Sequence, residues 1–172
     1  MALLGRYLRK LGHEVHGWGL GRNTGRVPEL LERLKPRIAS LAEDTGAQII
    51  AVGWSLGGYL AREAARDNPE RFEQLVTIGS PVIGGPRFTA AANWYEAKGY
   101  DLGEIEQLVA DRYAAPLQTP VTAIYSRSDG VVAWEACIDH WSPSVRHIEV
   151  DCSHLAMGFS PQVIALVAGA IG

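Results

Sequence analysis

The seven residues Ala47–Gly53, AQIIAVG, constrain this chain more than any other stretch. They are apolar without polar alternation, as expected of a strand in a parallel sheet with both faces covered. Parallel strands need crossover connections, usually helices, so this run predicts strand–helix alternation along the rest of the chain. The alternation is present. A helical stretch, LGGYLAREAARDNPE, follows directly and ends near Asn68-Pro69. EQLVTIGSPV and TPVTAIYSRSD read as two further buried strands, and VRHIEVD as another. A loop, CSHLAMGFS, and an apolar helix, PQVIALVAGAI, complete the series.

The remaining segments fit the same scheme. In MALLGRYLRKLGHEV the apolar stretch is broken by Arg6, Arg9 and Lys10, which does not suit a signal peptide. Leu4, Leu8 and Leu11, with Leu3 and Tyr7 beside them, predict one apolar face of a helix instead. Gly12 supplies a stop, and HEVHGWGL predicts a short strand. VPELLERLKPRIASLAEDTG predicts a helix, with Pro28 in its first turn and Leu30, Leu34, Ile38 and Leu41 along one side. Pro36 lies inside it and is expected to kink or split it. The stretch from Ile83 to Leu117 is longer than a simple connection and is expected to be partly helical, forming a small cap. A short helical piece is expected around AWEACIDHW.

The pattern predicts an α/β protein, a three-layer α/β/α sandwich around a mainly parallel sheet. At 172 residues, 47% hydrophobic and 20% charged, residues 1–172 are expected to form one globular domain. A net charge of -3 gives no electrostatic ground for nucleic-acid binding, and no basic cluster is expected to stand out. No apolar run approaches the ~20 residues needed to cross a bilayer. Cys137 and Cys152 leave open either one disulfide or two buried thiols.

The strand AQIIAVG runs into Gly53-Trp54-Ser55-Leu56-Gly57 and then into a helix. Gly-x-Ser-x-Gly in that setting puts a serine Oγ on a sharp turn that tolerates no bulky neighbour at the flanking positions. Ser55 is also placed at a helix N-terminus, where free N–H groups favour developing negative charge, and the Leu56 N–H is a candidate oxyanion donor. A nucleophilic serine needs a base and an acid that orients the base. Asp129 lies just past one apolar strand and His154 just past the last, giving the chain order serine, acid, histidine. Asp151 lies only three residues from His154, too local to orient it. His13 and His16 precede the serine, His140 falls in an expected helix, and His147 starts a strand.

At these residues the chain resembles the α/β-hydrolase superfamily, in particular its compact bacterial esterases and lipases. GWGLGRNTG, VGWSLGG, TIGSPV, YSRSDGVV and SHLAMGF carry the resemblance. It implies an α/β-hydrolase fold with Ser55 as nucleophile, His154 as general base and then acid, and Asp129 holding the imidazole. It further implies a small-molecule ester substrate. No cofactor is expected, and no metal, since Cys152 and His154 are only two apart and lack further partners at metal-ligand spacing; a cytoplasmic setting is expected. GWSLGG also looks like the elbow of pimeloyl-carrier-protein methyl esterases, so a carrier-bound methyl ester, or transfer to another alcohol, is an alternative chemistry. By the same resemblance the strands correspond to the fourth through eighth of eight. The loop that donates the second oxyanion N–H, which follows the third, has no counterpart here. Direct pairing of HEVHGWGL with QIIAVG, or a homodimer, is expected to fill the vacant place. A third alternative is a non-catalytic scaffold serving as a binding module. GWGLGRNTG lacks the residues of a phosphate loop and is expected to shape the rim of the site. The aromatics Phe88, Trp94, Tyr95, Tyr100 and Tyr113 could line an acyl pocket or simply pack.

Overall fold

The computed structural model describes residues 1–172. Four parallel strands form one sheet in sequence order: β1 (Ile49–Trp54), β2 (Phe72–Ile78), β3 (Val121–Tyr125) and β4 (Val145–Glu149). Every neighbouring pair is parallel and each register is anchored by apolar partners, such as Val52 with Val76 and Ile78 with Ile124.

Helices cover both faces. On one lie α1 (Ala2–Lys10), the single turn α6 (His154–Met157) and α7 (Pro161–Ala170). Leu4, Leu8, Met157, Val163 and Val167 pack there against Val76, Ile78 and Ile124. On the other lie α2 (Val27–Thr45) and α3 (Leu56–Asp67), whose Ile38, Ala64 and Ala65 pack against Leu75, Val121 and Ala123. Alternate residues of β2 and β3 thus serve opposite faces, as the period of two in a strand requires. The expected three-layer α/β/α sandwich is therefore the observed architecture. The segment between β2 and β3 carries a 3₁₀ turn (Gly85–Phe88), α4 (Ala92–Ala97) and α5 (Leu102–Tyr113). The Asp101 carboxylate caps α5 by accepting from the Gly103 and Glu104 N–H groups.

Three expectations are corrected. HEVHGWGL forms no strand. A strand is stable only when its backbone groups find a ladder, and residues 13–20 lie beside no partner. Val15 instead packs on the α1 side of the core, and its carbonyl accepts from the Arg9 guanidinium at 2.7 Å. Direct pairing with β1 is thereby ruled out. β1 is consequently an edge strand, and although its faces are apolar only Gly53 is fully buried, against five of seven residues in β2. The expectation of complete burial for AQIIAVG fails because coverage on two faces leaves an unpaired edge. Finally, Pro36 does not split its helix, for α2 runs unbroken from Val27 to Thr45. Around AWEACIDHW the helical piece reduces to a 3₁₀ turn, Trp134–Cys137. Cys137 and Cys152 are both free thiols, with burial pushing the Cys137 thiol up to about 12.

Candidate active site

Ser55 stands between the end of β1 and the start of α3 with φ 55° and ψ -129°, the one non-glycine residue with positive φ. Such backbone costs on the order of 1–3 kcal/mol and persists only where the surroundings enforce it. They do so here. The Ser55 N–H donates to the Ile78 carbonyl at 2.8 Å, and its own carbonyl accepts from the Gly58 N–H at 3.0 Å. A Cβ on Gly53 would lie 2.4 Å from Gly58 Cα, and one on Gly58 would collide with the Ser80 side chain. The tight bend thus needs glycine at 53 and 58. Gly57, the second glycine of the pentapeptide, would meet nothing within 4 Å, so the sequence expectation of a crowded position there is wrong. Ser55 is half-buried, and its Oγ makes no capping bond to α3, which leaves it free for chemistry. Leu56 opens α3, and an N–H in the first turn has no acceptor within its helix.

Asp129 and His154, the expected acid and base, lie side by side. His154 Nδ1 and Asp129 Oδ2 lie 2.7 Å apart, both side chains buried. The other oxygen, Asp129 Oδ1, accepts from the N–H groups of Val131 and Val132 at 2.8 and 2.6 Å. Burial pushes the Asp129 carboxyl up, but the bonds from His154, Val132 and Val131 outweigh it and hold the group below its ordinary range. Asp129 is thus an anion at neutral pH, with one oxygen fixed by the backbone and the other on the imidazole. The two loops are also joined through the backbone, His154 N–H to Asp129 O at 2.8 Å. Trp54, next to Ser55 in sequence, lies with its ring centroid 5.4 Å from that of His154, which places the acid–base pair beside the serine turn. Ser55 Oγ and the imidazole make no hydrogen bond in this structure.

The rejected candidates lie elsewhere. Asp151 accepts from Ser128 Oγ at 2.9 Å, His16 pairs with Glu14, and His147 Nε2 accepts from the Asp139 N–H at 3.0 Å. Of the aromatics between β2 and β3, Tyr95 and Tyr113 are buried and use their hydroxyls on the Gly25 carbonyl and Asp139, so they pack. Phe88, Trp94 and Tyr100 remain exposed.

Two supporting residues are missed by sequence reasoning. A Cβ on Gly79 would lie 2.8 Å from Met157 Cε, 3.0 Å from Asp129 Oδ2 and 3.1 Å from His154 Nδ1. The acid–base pair therefore rests on that bare backbone, whose φ of 53° also favours glycine. The glycine stands in TIGSPV, at the end of a strand, and that position was its one visible sign. Ser126 Oγ accepts from the Ser128 and Cys152 N–H groups at 3.1 and 3.3 Å, shaping both loops, and no sequence pattern announces it.

A parallel four-stranded sheet between two helical layers is a shortened α/β-hydrolase fold, and known proteins share that fold. An α/β-hydrolase enzyme from the metagenome of lagoon sediments at Mar Chica, Morocco, superposes with a TM-score of 0.62 at 21% identity, covering 96% of this chain and 80% of that one. An esterase of Pyrococcus furiosus gives 0.60 at 19% identity, covering 91% and 66%. Mouse α/β hydrolase domain-containing protein 10 gives 0.56 at 20% identity, covering 89% and 70%. In sequence, the pimeloyl-[acyl-carrier protein] methyl ester esterase of Salmonella heidelberg is 37% identical over 101 residues. That match spans 59% of this chain but only 37% of the relative. No family model matches the chain. No helix is long and apolar enough to cross a membrane.

Proposed function

We propose that this chain is a serine hydrolase that cleaves carboxylic esters of short to medium acyl chain. Ser55 Oγ attacks the ester carbonyl while its proton passes to His154 Nε2. Nδ1–H of the resulting imidazolium stays hydrogen-bonded to ionised Asp129, whose charge stabilises it. The Leu56 N–H, at the positive end of α3, stabilises the oxyanion. The proton then leaves with the alcohol, and water deprotonated by His154 releases the acid from Ser55. The reading rests above all on the buried Asp129–His154 pair beside a serine held in a conformation that only a tight turn would require.

A fluorophosphonate probe tests it. Wild type should be labelled and Ser55→Ala should not; a folded wild type that resists labelling would instead favour a non-catalytic binding module. A carrier-bound methyl ester is the second reading, favoured by the 37% identity to relatives named for that substrate. Turnover of a carrier-linked methyl ester well above that of a free one of equal chain length would select it. The unpaired edge of β1 supports the further proposal of a homodimer in which a second copy lies along that edge.

A further inference from the structure

Charge is not spread evenly along the chain. Residues 1–37 hold eight arginines and lysines against Glu14, Glu29 and Glu32, a net of +5 in a chain whose total is -3. This excess is carried by α1, the loop after it and α2. Its cations are also unusually free. Of these eight only Arg26 and Lys35 contact a carboxylate. Of the eight beyond residue 37, Arg62, Arg66, Arg71, Arg87, Arg112 and Arg127 all do.

Helix α1 adds an apolar element to that charge. At 100° per residue, its side chains fall in three adjoining stripes. Leu4 and Leu8 are buried in the core. Next to them Leu3, Tyr7 and Leu11, four residues apart, are 45%, 40% and 52% exposed. Beyond these lie Arg6 and Lys10, exposed and without a carboxylate partner. The exposed apolar stripe thus sits between the protein core and the cations. Arg9, on α1 itself, holds the following loop through the Val15 carbonyl, so its charge stays uncompensated beside them.

The apolar stripe and the cations run side by side along one helix, the arrangement of an interfacial helix. A bilayer uses both, since an interfacial helix sinks apolar side chains to the acyl boundary and keeps its cations at the anionic headgroups. We propose that α1, with its exposed Arg6, Arg9 and Lys10, is a docking face for the surface of an anionic lipid bilayer. The helix lies on that surface and does not span it. The inference is independent of the hydrolase reading, and Ser55→Ala should dock like wild type.

Co-sedimentation with phosphatidylglycerol/phosphatidylcholine vesicles tests it, with pure phosphatidylcholine vesicles as control. Wild type should partition onto the anionic vesicles, far less onto the neutral ones, and be released by high salt. Arg6→Gln and Lys10→Gln should each weaken partitioning roughly fivefold, and the pair Leu3→Ser/Tyr7→Ser should weaken it as well. These are surface positions, and unchanged circular dichroism checks that the fold survives. Failure to bind anionic vesicles, or equal binding to neutral ones, overturns the proposal whatever the variants do. It is equally overturned if heparin competes fully and the Leu3/Tyr7 pair has no effect, for the face would then recognise a soluble polyanion.

Discussion

A Cβ on Gly53 would press to 2.4 Å from Gly58 Cα, whereas one on Gly57 would touch nothing within 4 Å. Two glycines of one motif should therefore behave oppositely. Gly53→Ala should abolish probe labelling of Ser55, because the elbow cannot close. Gly57→Ala should keep labelling and raise unfolding stability by about 0.5–1 kcal/mol, since Gly57 lies in the first turn of α3. Denaturant titration beside the labelling assay checks both. Asp129→Asn is the complementary change. Its carbonyl can still accept from Val131 and Val132, but its amide then donates to Nδ1. The imidazole proton is driven to Nε2, where the serine proton must go. Turnover should fall on the order of 10³–10⁴-fold in ester-hydrolysis kinetics, with labelling slowed to match. The placement of Ser55, Asp129 and His154 at strand ends could be read from sequence because turn residues follow an apolar run at each. Gly79 could not, since its demand comes from Met157, Asp129 and His154, which approach it only through the fold.

Among the elements, α3 shows where helical periodicity stops being informative. Arg62 is 1% exposed and paired with Asp139, a partner 77 residues away that no helical wheel reveals. Asp139 also accepts from the Tyr113 hydroxyl and from the Trp141 and Ser142 N–H groups. One carboxylate thereby ties α3 and α5 to the turn before β4. Burial alone would raise it, but the Ser142 and Trp141 bonds and the Arg62 charge hold it far below its usual range. His147 on β4 completes the cluster by accepting from the Asp139 N–H, which requires an unprotonated Nε2. Burial lowers the His147 pKa below 6.5, helped by His140 and Arg62 and opposed by Asp139. A folded pKa below the unfolded one means the stability contribution is full above about pH 6.5. It is lost as pH falls through the folded value. Urea midpoints measured at about pH 7.5 and about pH 5 should therefore drop on acidification, and His147→Gln should shrink that drop. HEVHGWGL fails differently. Its composition suits a strand, but a strand also needs a neighbour, and nothing within the segment says whether one is available.

For the whole molecule, the strand order β1-β2-β3-β4 leaves β1, the strand that leads into Ser55, at an edge. The layered architecture was legible in sequence because burial on two faces writes itself into apolar runs such as IIAV. The vacancy beside β1 showed only through the family resemblance, because a strand covered by helices on both faces reads the same whether or not a further strand lies alongside. Physically the difference is large. One row of β1 backbone N–H and C=O groups lacks a ladder, and a half-exposed apolar strand in that state is a template for another chain. If two copies join there, β1 should protect its amides in a concentration-dependent way. Hydrogen exchange at low and high protein concentration tests this against an internal reference. The amides of β2 and β3, each flanked by strands on both sides, should exchange slowly at either concentration. Those of β1 should slow as sedimentation velocity shows the dimer populating. A sedimenting monomer with rapid β1 exchange at every concentration would refute the dimer. Concentration-dependent protection with α1 unaffected would locate the contact on β1 itself. Because Ser55 follows β1 directly, the same titration should then show fluorophosphonate labelling rate changing with the fraction of dimer.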